Sequence, residues 1–70
     1  MEKTKLDNKI RIQRAIKNIT QEELAEAVGV TRKTVNTIEN GKYVPSTILA
    51  MKMARYFEIP VEELFQLTEE

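Results

Sequence analysis

Cysteine and histidine are both absent from this 70-residue chain. Without cysteine there is no disulfide and no thiolate metal site; without histidine as well, zinc loses its usual ligands. The same two absences exclude nucleophilic catalysis of the Ser-His or Cys-His kind. Glycine and proline number only two each, so there is no Gly-rich phosphate loop, and no linker or low-complexity segment interrupts the chain. No pair of carboxylates stands in an evident pocket. An enzyme is therefore not expected, nor a cofactor, a metal or a small-molecule ligand. No apolar run approaches the length of a membrane span, and "MEKTKLDNK" is too polar for a signal peptide. The expectation is a soluble cytoplasmic protein with no membrane partner.

An excess of charge of either sign is missing too. Eleven basic residues face eleven acidic ones, which argues against a nucleic-acid partner, since such domains are usually basic. The distribution weakens that objection. From Thr31 to Arg55 five cations (Arg32, Lys33, Lys42, Lys52, Arg55) stand against Glu39 alone, and from Tyr56 to Glu70 there are five acids and no cation. Residues 1–70 suffice for one domain, near the size at which an unstapled core becomes marginal.

What is present is helical punctuation. A first helix is expected from about Leu6 to Lys17, capped by Thr4 or Asp7. "TQEELAEAV" opens a second with Thr20 and Glu23 in a capping box and closes it at Gly29. Thr31 caps a third through about Glu39, ended by Asn40-Gly41. Pro45-Ser46 starts a fourth, "STILAMKMARYF", and Pro60 precedes a fifth, "VEELFQL". No stretch is read as the alternation of a half-buried strand, so the fold class expected is all-α, with five short helices. The helix-turn-helix unit spans about residues 20–40. Stepping 100° per residue turns Leu24, Ala25 and Val28 inward on the second helix and Val35 and Ile38 inward on the third. Leu49, Met53, Ala54 and Phe57 make the stripe of the fourth, and Ile59, Val61, Leu64 and Phe65 complete one core.

A turn of only Gly29-Val30 forces the second and third helices into steep contact, with Ala25 as the small residue between them. The third helix then projects a polar outer face, suited to a DNA major groove read by the helix's N-terminal residues. Arg32 and Lys33 can donate to guanine or phosphate, Asn36 can pair with adenine, and threonine methyls can meet the thymine methyl. Phosphate contacts are expected on both flanks. Thr20 and Gln21 stand at the N-terminus of the second helix, and Asn40, Gly41, Lys42 and Tyr43 lie just past the third. Glu39 faces inward with Val35, as Arg14 does with Ile10. A partly buried Arg14–Glu39 ion pair is therefore expected to join helices one and three.

With these residues in view, "TQEELAEAVGVTRKTVNTIENGKYVPS" resembles the Cro/repressor-type (XRE-like, λ-repressor-like) helix-turn-helix family. The shared pattern is T-Q-x-x-L-A, G-V-T/S-R, I-E-N-G-K and P-S; it continues upstream in "IRIQRA" and downstream in "AMKMARYFEIPVEELF", covering about residues 8–66. The likeness is greatest to small stand-alone bacterial and archaeal regulators. It implies a five-helix domain binding operator DNA, usually as a homodimer on a palindromic site. It places the first residues of the recognition helix at Arg32, Lys33 and Thr34, with Thr37 one turn on. Phosphate contacts fall on Gln21, Thr31, Asn40 and Lys42, and the inter-helix pair on Arg14 and Glu39. Four positions depart from the family pattern: Gln13 for Leu, Asn18 and Glu58 for Gly, and Pro60 for a Ser or Asp cap.

Ile12 and Ile16 lie outside the core face of the first helix. Either the C-terminal segment folds back over them through Phe65 and Leu67, or they belong to a dimer contact; a small domain's need to bury apolar area favours the first. The expected function is a sequence-specific DNA-binding regulator, repressing by operator occupancy as a homodimer. The alternative is a protein-interaction module, such as an antitoxin, using the acidic C-terminal helix "VEELFQLTEE".

Overall fold

The computed structural model describes residues 4–69. In chain order they form β1 (Thr4–Asn8), α1 (Ile10–Lys17), α2 (Gln21–Val28), α3 (Arg32–Glu39), α4 (Thr47–Phe57), α5 (Val61–Leu64) and β2 (Phe65–Glu69). Helices this short are not stable in isolation. Their ends are therefore tied down by side chains, and their apolar faces are pooled.

The starts of α2, α3 and α4 are capped by hydroxyls. Thr20 Oγ1 accepts the Glu23 N–H at 3.0 Å while Glu23 Oε1 accepts the Thr20 N–H at 3.0 Å, a complete capping box. Thr31 Oγ1 accepts from Thr34 N–H at 3.2 Å and Ser46 Oγ from Leu49 N–H at 3.1 Å.

The stops of α1, α3 and α4 share one geometry. Past α3, Gly41 sits at φ 75° and donates to the Ile38 carbonyl at 3.0 Å, while Lys42 N–H reaches back to Thr37 at 2.9 Å. This is the Schellman arrangement, and α1 and α4 repeat it. There the left-handed residue is Asn18 (φ 56°) and Glu58 (φ 59°), not glycine. Ile19 N–H closes onto Arg14 at 3.0 Å and Ile59 N–H onto Ala54 at 3.1 Å. Both isoleucines pack against the core, which holds the turn in place despite the side chain at the left-handed position.

Two sequence expectations are corrected at the termini. The fold is mostly helical, with five helices, but it is not all-α: Thr4–Asn8 and Phe65–Glu69 pair as an antiparallel two-stranded sheet with Leu6 opposite Leu67. The first helix accordingly begins at Ile10, not Leu6, and neither Thr4 nor Asp7 caps it. Asn8 does related work, accepting the Ile10 N–H at 3.1 Å and donating to the Ile38 carbonyl at 3.0 Å. The last helix ends at Leu64, so the acidic tail is one helical turn followed by a strand and has no continuous amphipathic helical face. Gln66 Nε2 donates to the carbonyls of Glu62 and Glu63 at 3.1 and 2.7 Å, and Lys9 N–H takes that of Leu64 at 2.9 Å. Those carbonyls are satisfied without another helical turn.

One core cluster joins all five helices: Ile10 of α1, Leu24, Ala25 and Val28 of α2, Val35 and Ile38 of α3, Leu49, Met53, Ala54 and Phe57 of α4, and Leu64 of α5, with Phe65 beyond it. Ile59 and Val61 lie half-buried at its margin. Ile12 and Ile16 remain 56% and 70% exposed, so the expected cover from the C-terminal segment is not there. The extended tail pairs with β1, which sends Phe65 into the core and leaves Leu67 75% exposed.

A non-glycine residue in the left-handed region costs about 1–2 kcal/mol, and less for asparagine. Glu58→Gly is therefore expected to stabilise the fold by about 1 kcal/mol, and Asn18→Gly by less. Thermal unfolding followed by circular dichroism should show the Glu58→Gly midpoint rising by roughly 4–8 °C.

Candidate nucleic-acid interface

α2 and α3 meet across Gly29, Val30 and Thr31. Gly29 takes φ 78°, and Val30 N–H closes onto the Ala25 carbonyl at 3.0 Å. Ala25 is buried between the helices, and Val35 and Ile38 pin the inner face of α3 to the core. The opposite face is left to solvent. Arg32, Lys33 and Asn36 are exposed there and line one shallow depression. Arg32 and Lys33 make no ion pair among the described residues.

The threonines differ from these cations. Thr34 and Thr37 are half-buried. Thr37 Oγ1 points back along its own helix, 3.1 Å from the Lys33 carbonyl and 2.9 Å from that of Thr34, and Thr31 and Thr34 hydroxyls lie 3.0 Å apart. The Thr37 hydroxyl hydrogen is thus committed to its own helix and the Thr31 and Thr34 hydroxyls bond each other, which leaves oxygen lone pairs and methyl groups to meet a ligand.

The flanking residues fall at both ends of this face. Thr20 is exposed at the α2 cap, with Gln21 half-buried beside it; Thr31 is exposed at the α3 cap; Asn40, Lys42 and Tyr43 are exposed in the turn after α3. Glu23 is spent in the capping box, while Glu22 and Glu26 are exposed on α2.

Beneath the flank lies a cluster of charge. Arg14 Nε and Nη2 grip Glu39 Oε2 and Oε1, each at 2.9 Å, and Arg14 Nη1 donates to the Ile19 carbonyl at 3.0 Å. The Glu39 side chain is 1% exposed and that of Arg14 18%. Arg11, whose side chain is 71% exposed, adds a second guanidinium at 3.3 Å, and Gln21 Nε2 donates to the same carboxylate at 3.5 Å. Burial acts to raise the Glu39 pKa, but the Arg14 hydrogen bonds and charge, with help from Arg11 and Gln21, outweigh it and hold the carboxyl below its ordinary value. The Arg14 guanidinium, bonded to Glu39, is correspondingly raised.

Arg11, the link between Gln21 and Asn36, and the link between Asn36 and Asn40 escape the sequence reading. The i, i+3 spacing of Arg11 and Arg14 and the i, i+4 spacing of Asn36 and Asn40 were available as signals. The Gln21–Asn36 link depends on how α2 crosses α3 and has no local signature. Among the described residues no helix is long and apolar enough to cross a membrane.

A family model described as helix-turn-helix matches residues 10–64. Over 60 residues the chain is 47% identical to an uncharacterized HTH-type transcriptional regulator of Methanocaldococcus jannaschii, covering 86% of this chain and 91% of that relative. Over 65 residues it is 48% identical to the uncharacterized HTH-type transcriptional regulator YgzD of Bacillus subtilis, covering 93% of this chain and 98% of YgzD. The fold is similar to that of the restriction-modification controller protein C.AhdI from Aeromonas hydrophila. The TM-score there is 0.71 at 31% identity, over 77% of this chain and 78% of that one.

Because the folded pKa of Glu39 is depressed, its contribution to stability is present above the unfolded-state value of about 4.3 and is lost as pH falls through the folded value. Replacing it by Ala strands Arg14 and should cost about 3–5 kcal/mol at neutral pH. Urea unfolding at several pH values is expected to show the gap between parent and Glu39→Ala narrowing as the acid side is entered.

Proposed function

The chain belongs to the XRE-type helix-turn-helix family of DNA-binding transcription regulators, and on that premise we propose that it represses by occupying a palindromic operator as a homodimer, with α3 in the major groove. The observation that carries this reading is the outer face of α3, where Arg32 and Lys33 stand exposed at the first turn without an acidic partner among the described residues. The Arg32 fork matches guanine O6 and N7, Lys33 donates to guanine or phosphate, and the Thr34 and Thr37 methyls suit thymine. Asn36 differs from these four, since Gln21 and Asn40 engage both ends of its amide.

Thr20, Gln21, Thr31, Asn40, Lys42 and Tyr43 would hold the backbone on either side of the groove and so fix the register of the reading helix. A chain of zero net charge gains little from non-specific attraction to phosphate. Useful affinity then calls for two copies acting together. Exposed apolar side chains that a partner copy could cover exist on α4 (Ile48, Met51) and on α1 (Ile12, Ile16). Occupancy of an operator in the cytoplasm needs no sensor, and simple exclusion of other proteins from the site is the mechanism.

Selection from a random duplex pool tests the proposal. The expected product is a two-fold symmetric consensus with half-site centres about 34 Å apart. Arg32→Ala should relax one base position, with about 1–3 kcal/mol of discrimination lost, while Lys42→Ala weakens all sequences alike and lowers the salt slope by about one. Equal, sequence-independent losses in both variants would refute base reading by Arg32.

A further inference from the structure

Five side chains of α1, α2 and the α3 end close a ring of hydrogen bonds. Asn36 Nδ2 donates to Gln21 Oε1 at 3.3 Å, and Gln21 Nε2 donates to Glu39 Oε1 at 3.5 Å. Arg11 Nε reaches the same carboxylate oxygen at 3.3 Å, and its Nη2 donates to Asn40 Oδ1 at 3.3 Å. Asn40 Nδ2 then donates to Asn36 Oδ1 at 3.3 Å, which completes the circuit.

The two charged members set the direction of the three amides between them. A guanidinium only donates and a carboxylate only accepts. Asn40 must therefore turn its oxygen to Arg11 and its nitrogen to Asn36, and Gln21 must turn its nitrogen to Glu39. One orientation is left for Asn36, with its oxygen toward Asn40 and its nitrogen toward Gln21. Its amide plane is set by the protein before any base arrives.

Charge within the cluster does not balance. Two guanidinium groups share one carboxylate; Arg14 takes both of its oxygens and is mostly buried, while the Arg11 side chain is 71% exposed. The surplus positive charge is thus offered to solvent through Arg11, next to Asn40 and one ring member from Gln21. Glu39 and Asn40 take Nε and one Nη2 hydrogen of Arg11 and hold the guanidinium in place, which leaves Nη1 and the second Nη2 hydrogen to meet a phosphate oxygen.

We propose that the ring is a preassembled phosphate clamp: Arg11 of α1 is a further DNA-phosphate contact, and Asn36 is a positioning residue that holds Gln21 and Asn40 instead of reading a base. This rests on the DNA-binding reading and extends its surface onto a third helix. Base choice then falls to Arg32 and Lys33, with the Thr34 and Thr37 methyls.

The test uses the full chain with its selected duplex, titrated at several salt concentrations, alongside a base-preference profile for each variant. Arg11→Ala should weaken binding several-fold on every sequence and lower the salt slope by about one, whereas Arg11→Lys keeps the slope because the charge remains. Asn36→Ala should weaken binding across all sequences and leave the preference at every base position as in the parent. Thermal unfolding of each variant separates these effects from loss of fold. An Arg11→Ala slope equal to the parent's overturns the phosphate contact, and relaxation at a single base position in Asn36→Ala overturns its positioning role. A parent chain that selects no duplex at all would bring down the DNA-binding reading itself, an outcome distinct from either.

Discussion

The Glu39 carboxylate is almost wholly withdrawn from water, and an isolated charge in that position would be untenable. Arg14 makes it tenable with two 2.9 Å hydrogen bonds. That fork has a fixed geometry, so the rotation of α3 about its axis is tied to the position of α1. Glu39 lies on the same helical face as Val35 and Ile38, and burying it also commits those two to the core. The side of α3 that remains is the one carrying Arg32, Lys33 and Asn36. The outward face is in this sense a consequence of what the inward face must satisfy.

The same pair ties the framework to the flank. Arg14 also holds the Ile19 carbonyl in the turn between α1 and α2, and Gln21, the first residue of α2, donates to the same carboxylate. Three helices of eight residues each are therefore fixed at one point by charge, and α2 and α3 are opened by threonine caps. A pair of this kind need not add much net stability, because desolvation offsets much of the attraction. What it does supply is a defined angle between helices, and a reading helix is useful only if its angle is defined.

Legibility in the sequence divides by range. The Thr20–Glu23 capping box, the Thr31 cap, the Pro45-Ser46 start of the fourth helix and the Gly29 stop were readable because each acts within a few residues. Asn18 and Glu58 stood out only as departures from glycine; their left-handed φ values give those departures a conformational meaning. The strands were missed. Phe65 and Leu67 alternate with Gln66 and Thr68, but five residues of alternation are ambiguous until a partner strand exists, and the partner lies at the far end of the chain. Ile12 and Ile16 failed for the same reason, since their cover depended on where the tail went.

Local sequence alone determined that there are five helices, the caps that open α2 and α3, the short turn between them, and the presence of two cations at the start of the exposed face. Those features follow from interactions among near neighbours, and three or four residues suffice to specify them. Only the tertiary structure decided that the termini pair as strands, that Arg11 joins Arg14 on one carboxylate, and that Asn36 is clasped between Gln21 and Asn40. Each depends on segments distant in sequence being brought within about 3.5 Å, and no periodicity along the chain encodes that closure.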